Sequence, residues 1–96
     1  MNEQATPTVL IDNDVVRVTR WHFVPGAATG WHRHEFDYVI VPLTAGTLRL
    51  VEPEGTRLSE LRVGEPYFRE TGVEHDVVNA NDYEFSFIEV EAKRRG

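Results

Sequence analysis

Short runs of apolar, β-branched and aromatic residues, each closed by turn formers, set the pattern of this chain. Val9-Leu-Ile11 stops at Asp12-Asn-Asp14, and Val15 to Val24 (VVRVTRWHFV) alternates in part before Pro25-Gly26. Tyr38-Val-Ile-Val41 is closed by Pro42, Leu48 to Val51 by Glu52-Pro-Glu-Gly55, and Thr56 to Val63 by Gly64-Glu-Pro66. Tyr67-Phe-Arg69 and His75 to Val78 are parted by Thr71-Gly72, and Asn79-Ala-Asn-Asp82 precedes the most regular alternation, Tyr83 to Val90 (YEFSFIEV). A period of two in such residues predicts half-buried strands. Pro and Gly recur too often for any window to keep a 3.6-residue apolar period, so no helix is predicted. Many short strands with frequent turns predict an all-β sandwich or barrel. The 96 residues fit one domain, with a core over about 9–92. Residues 1–8 form a polar, Pro-containing arm expected to be flexible.

Within this pattern, His32-Arg33-His34 stands on a predicted strand, where residues two apart leave the same face. Two neutral imidazoles side by side form half of a transition-metal site. Alone, the motif more often marks two solvent-facing histidines. His75 changes this: Gly72 permits a tight reversal, so the strand after it can bring His75 beside the earlier pair inside a small barrel.

Composition narrows the chemistry. A net charge of −6 and a pI near 5.1 leave no basic surface for a nucleic acid. No Cys is present, which removes disulfides, thiolate metal sites and cysteine nucleophiles, and leaves four His and 16 acidic residues as the strong metal ligands. Met1 to Pro7 has neither the basic nor the apolar region of a secretory signal, and no apolar run approaches the ~18 residues of a membrane span. A cytoplasmic protein with no membrane partner is expected.

The two His-bearing stretches resemble the two motifs of the cupin superfamily. Gly26, five residues, His32-Arg33-His34 and the closing Gly46 follow the first motif; Gly64, Gly72, His75 and Asn79 follow the second. The likeness spans roughly residues 15 to 90, and Gly-Trp-His-Arg-His…Asp-Tyr-Val-Ile-Val-Pro-Leu-Thr resembles small bacterial cupins, some named β-alanine degradation proteins. The resemblance implies a cupin-type double-stranded β-helix (jelly-roll) barrel holding one divalent transition metal per subunit (Fe, Zn, Ni or Mn) on His32, His34 and His75. Two positions depart from the pattern. Glu70 stands where the second motif has Pro, and the Glu ligand of the first motif falls on Val39 or Tyr38. Asp37, or less favourably Glu35, is the nearby carboxylate that would complete a four-ligand set. Three readings stay open: three histidines alone, three histidines with Asp37, or a barrel that binds a ligand without metal.

A three-His set resembles that of thiol dioxygenases and of the β-diketone-cleaving dioxygenase, which implies an Fe(II) dioxygenase acting on a small organic molecule. The alternative is a non-catalytic barrel that binds a ligand or Zn, since the fold serves many functions. Tyr38 and Arg33 are candidate catalytic or substrate-holding residues, with Arg69 a second candidate for a substrate carboxylate. Trp21, Tyr67, Phe85 and Phe87 are candidates for the pocket wall, and His22 reads as a structural or surface residue. Open sheet edges predict a homodimer, with the N-terminal arm exchanged between subunits.

Overall fold

A computed structural model of the chain describes residues 3–94 and contains nine strands and, among those residues, no helix. They are β1 (Thr6–Asp12), β2 (Val16–Phe23), β3 (His32–Arg33), β4 (Asp37–Pro42), β5 (Gly46–Glu52), β6 (Gly55–Leu61), β7 (Tyr67–Arg69), β8 (Glu74–Asn79) and β9 (Phe85–Ala92). Two antiparallel sheets result, one in the order β1-β2-β9-β4-β7 and one in the order β3-β8-β5-β6.

The alternation read along the chain decides what each sheet turns inward. In β4 the buried positions are Tyr38, Ile40 and Pro42, and in β9 they are Phe85, Phe87, Glu89 and Glu91. Leu48 and Leu50 of β5 and Val77 of β8 come from the other sheet to meet them, so one core cluster draws on both layers. Burial of these side chains is the main stabilising term of such a sandwich.

The N-terminal segment differs from the flexible arm expected. β1 begins at Thr6, and Thr6, Pro7 and Thr8 pair with His22, Trp21 and Arg20 of β2. Upstream, Ala5 is buried and donates its N–H to Ala28 O at 2.9 Å, while Ala28 N–H donates to Glu3 O at 2.8 Å. The short polar residues there satisfy a backbone ladder, which residue polarity does not report.

Asn79, expected in a turn, is the last residue of β8 and is 1 % exposed. Its amide Nδ2 donates to Tyr83 O at 2.9 Å and Val24 O at 3.2 Å, and its Oδ1 accepts from Asn81 N at 3.0 Å. Asn81 in turn accepts from Thr47 N at 3.0 Å, and Tyr83 Oη donates to Ala45 O at 2.7 Å. Gly46 sits under this latch: a Cβ there would lie 2.6 Å from Tyr83 Oη and 2.7 Å from Asn81 Oδ1. The final Gly of the first motif and the Asn of the second are therefore parts of one contact that ties the β8–β9 turn to the start of β5. Replacing Asn79 by Ala strands buried carbonyls and should cost on the order of 3 kcal/mol, read as a lower denaturant midpoint with an unchanged m-value.

Candidate metal centre

Register builds the site. β3 pairs with β8 so that His32 stands opposite His75. Beyond β3, His34 N–H donates to Val73 O at 2.9 Å and Gly72 N–H donates to His34 O at 2.8 Å, which extends the pairing past the strand. Gly72 adopts φ +94°, a conformation that L side chains avoid, and so allows the reversal that carries His75 back. The side chains of His32, His34 and His75 consequently converge. Their Nε2 atoms are 3.0 Å apart from His32 to His34 and 3.0 Å apart from His34 to His75.

Protonation decides what this triangle is. His32 Nδ1 lies 2.8 Å from Gly30 O, and since a carbonyl only accepts, the proton is assigned to Nδ1 and the lone pair to Nε2. Burial, followed by the neighbouring His32 and His75 rings, brings His34 down to about 3. Burial, followed by His32, brings His75 down to about 4. His34 and His75 are thus neutral at pH 7. Neutral imidazole nitrogens 3.0 Å apart share either a proton or a cation, and a metal bonded to two imidazoles at about 2.1 Å and roughly right angles would hold them about 3 Å apart. Donor type, protonation and spacing all fit a divalent transition ion of borderline softness.

Among the described residues these three histidines form the cluster able to hold a metal, and Asp37 is not in it. Asp37 has the opposite parity to inward-facing Tyr38, and its Oδ1 accepts from Thr71 N at 2.9 Å. This corrects the placement expected for a fourth ligand: β4 begins at Asp37, so the carboxylate faces the turn. Glu35 is exposed at the cavity mouth. Val39 also faces away from the core, and the inward position is filled by Tyr38, which is 2 % exposed and stacks on His34 with ring centroids 3.8 Å apart. A neutral phenol, its ionisation pushed well up by burial, stands where the cupin pattern has a carboxylate.

A cavity of about 530 Å³ opens onto His32 and His34 and is lined also by Arg17, Trp21, Arg33, Glu89 and Glu91. Behind the triad a chamber of about 30 Å³ is bounded by Tyr38, Tyr67, His75, Phe87 and several aliphatic side chains. Trp21, Thr29, His34 and Glu89 form the wall common to both. Among the described residues, Tyr38 Oη and His75 Nδ1 are buried without a hydrogen-bond partner.

Of the expected lining residues, Trp21, Tyr67 and Phe87 reach these cavities, whereas Phe85 is fully buried in the core. Arg33 is at the mouth. Arg69 is elsewhere, donating to Glu52 Oε2 at 3.3 Å beside a separate depression. His22 lies on the outer side, with Nε2 2.7 Å from Glu84 Oε1 and Nδ1 2.8 Å from Ser86 Oγ. Glu89 escaped the sequence reading, although it shares the inward parity of Phe85 and Phe87 in the Tyr83–Val90 alternation. Burial, reinforced by the Glu91 carboxylate, pushes its carboxyl up to about 7.

No family model matches the chain. The curated and structural comparisons are nevertheless decisive: fold, motifs and triad define a small cupin, and the chain belongs to the cupin superfamily. Within it the chain is 58% identical over 90 residues to the β-alanine degradation protein BauB of Pseudomonas aeruginosa, covering 94% of this chain and 95% of that one. It superposes on the crystal structure of a cupin domain from Bordetella pertussis Tohama I with TM-score 0.96 and 53% identity, over 98% of both chains. The polyketide cyclase RemF from Streptomyces resistomycificus matches with TM-score 0.75 and 28% identity, over 98% of this chain and 70% of that one.

The buried titratable groups give the metal-free protein a defined pH profile. His34 and His75 are depressed, so between about pH 5 and 6.5 the unfolded state binds their two protons and the folded state does not. Glu89 is raised, so in the same window the folded state holds one proton that the unfolded state lacks. Unfolding takes up a net proton, and stability rises with pH by about 2 kcal/mol across that window. Above it the unfolded-state protons of His34 and His75 are progressively lost, and the contribution of Glu89 is lost as pH rises through 7. Urea unfolding of metal-free protein should show a maximum near pH 6.5, at about the ordinary pKa of histidine.

Proposed function

We propose that this protein is a metal-dependent enzyme of the dioxygenase type, using one divalent transition metal per subunit on His32, His34 and His75 to act on a small organic molecule. The observation that carries this reading is the convergence of the Nε2 atoms of His32, His34 and His75 beside an open cavity. Three nitrogen ligands leave coordination positions free, and Fe(II) bound in such a set supplies redox chemistry with O₂. The chain's own residues then bind and orient. Arg33 at the mouth holds a substrate carboxylate, and Tyr38 keeps a phenolic proton beside the His34 ring. The cavity is in the usual range for small-molecule sites, about 300–1,000 Å³. BauB's name supports a ligand from β-alanine breakdown, while RemF's cyclase activity is a reminder that the fold alone does not select oxygen chemistry.

The test is metal analysis of untagged protein after anaerobic Fe(II) loading, followed by O₂ uptake with thiol, β-diketone and amino-acid-derived substrates. One equivalent of metal and substrate-dependent O₂ consumption are expected. His32→Ala and His75→Ala should each weaken metal binding on the order of 100-fold or more. Full occupancy in both variants overturns the metal site. Tight Zn binding without O₂ uptake for any substrate overturns the enzyme and leaves a ligand- or Zn-binding barrel.

We also infer a homodimer formed through β1. This edge strand is exposed along its length and carries Val9, Leu10 and Ile11 at 56%, 47% and 48% exposure. An apolar edge of this kind is normally covered by another strand. Light scattering should give twice the monomer mass, and the double variant Val9→Lys/Ile11→Lys should give the monomer mass.

A further inference from the structure

Glu89 is a carboxylate built into the wall between the open cavity and the inner chamber. It is 7% exposed and sits on β9 between Thr19 of β2 and Ile40 of β4. A buried carboxylate costs several kcal/mol unless a cation or hydrogen bonds compensate it. The next inward acid, Glu91, is compensated in full by Arg17, which donates to both its oxygens at 2.8 and 2.9 Å. Among the described residues Glu89 has no such partner: its Oε1 accepts from Trp21 Nε1 at 3.2 Å, and its Oε2 faces His34 Nδ1 at 3.6 Å.

The His34 ring explains why Glu89 stands there. Its Nε2 is turned toward the other two histidines, so Nδ1 is directed to the opposite side, where the carboxylate waits. Stacking on Tyr38, with an interplanar angle of 19°, holds the ring in that orientation. The 3.6 Å separation is longer than a hydrogen bond and within ion-pair reach, and a Glu side chain can close it by moving less than an ångström. His32 has the same arrangement with a different acceptor, its Nδ1–H donating to Gly30 O.

We propose that Glu89 is a positioning residue for the metal centre: its carboxylate accepts the Nδ1 proton of His34, presents Nε2 as the ligand atom, and strengthens that imidazole as a donor. This rests on reading the three histidines as a metal site. A carboxylate behind a ligating histidine fixes its tautomer and raises its basicity, and losing such a partner typically weakens metal binding 10–100-fold.

The experiment compares wild type, Glu89→Gln, Glu89→Ala, His22→Ala and His34→Ala, all untagged and metal-free at the start. Zn²⁺ affinity is measured by chelator competition, and the visible spectrum of the Co²⁺-loaded protein is recorded alongside. Glu89→Gln keeps the shape and removes the charge; it should weaken Zn²⁺ binding by roughly 10- to 100-fold and shift the Co²⁺ bands. Glu89→Ala should be at least as weak. His22→Ala, on the outer side of the barrel, should leave affinity within about threefold, a change worth about 0.7 kcal/mol. Wild-type affinity and an unchanged Co²⁺ spectrum in Glu89→Gln, with binding lost in His34→Ala, overturn the role of Glu89 and leave the metal site standing. Undiminished binding in His34→Ala overturns the metal reading itself. If Glu89→Ala does not fold, the isosteric Gln variant and its spectrum decide.

Discussion

The antiparallel register between His32–Arg33 and the start of β8 is the constraint on which the site depends. Two residues of strand would hold little by themselves, yet the His34 and Gly72 backbone bonds continue the ladder and lock the reversal at Gly72. A slip of one residue would turn His75 to the outer face, because side chains alternate sides along a strand. Sheet register and ligand geometry are one quantity here. The three rings are also packed edge to face, at centroid separations of 4.7 to 5.0 Å, so none can turn without displacing another.

Desolvation then sets the chemistry. Taking His34 and His75 out of water disfavours their protonated forms, which destabilises the fold in mild acid and at the same time supplies free lone pairs at neutral pH. The same effect acts with opposite sign on the acids: Tyr38 and Glu89 are both driven toward their neutral forms. The centre is thus a pocket of weakly charged donors, in which a divalent ion would be by far the strongest local field.

Much of this was legible in the sequence, and the limits have physical causes. The all-β class follows from breakers and alternation, and His32, His34 and His75 follow from motif spacing that reflects the register just described. The role of Tyr38 was half visible. Counting three residues on from His34 reached it, but a motif cannot say which of two adjacent residues, Tyr38 or Val39, faces inward; the start of β4 at Asp37 decides that. The same parity sends Asp37 to the Thr71 turn. Residues 6–8 were misread because polar residues in a backbone ladder carry no hydrophobic signal. Glu89 was missed because an inward acid inside an alternating run reads as a break in the pattern, although it is the pattern's next member.

The two spaces around the triad divide the work between its members. Only His32 and His34 line the open cavity, whereas His75 and Tyr38 are reached from the inner chamber. A molecule larger than a few atoms can therefore approach the centre from the mouth alone, where Arg17, Arg33, Glu35, Glu89 and Glu91 set the charge it meets. Arg17 is committed to Glu91, and Arg33 is the other guanidinium among the described residues that line the mouth. Tyr38, by contrast, acts from behind His34. Its phenol lies against the His34 ring and borders the inner chamber. The residue that replaces the missing carboxylate of the first motif thus shapes the back of the centre, and the front is left to the mouth.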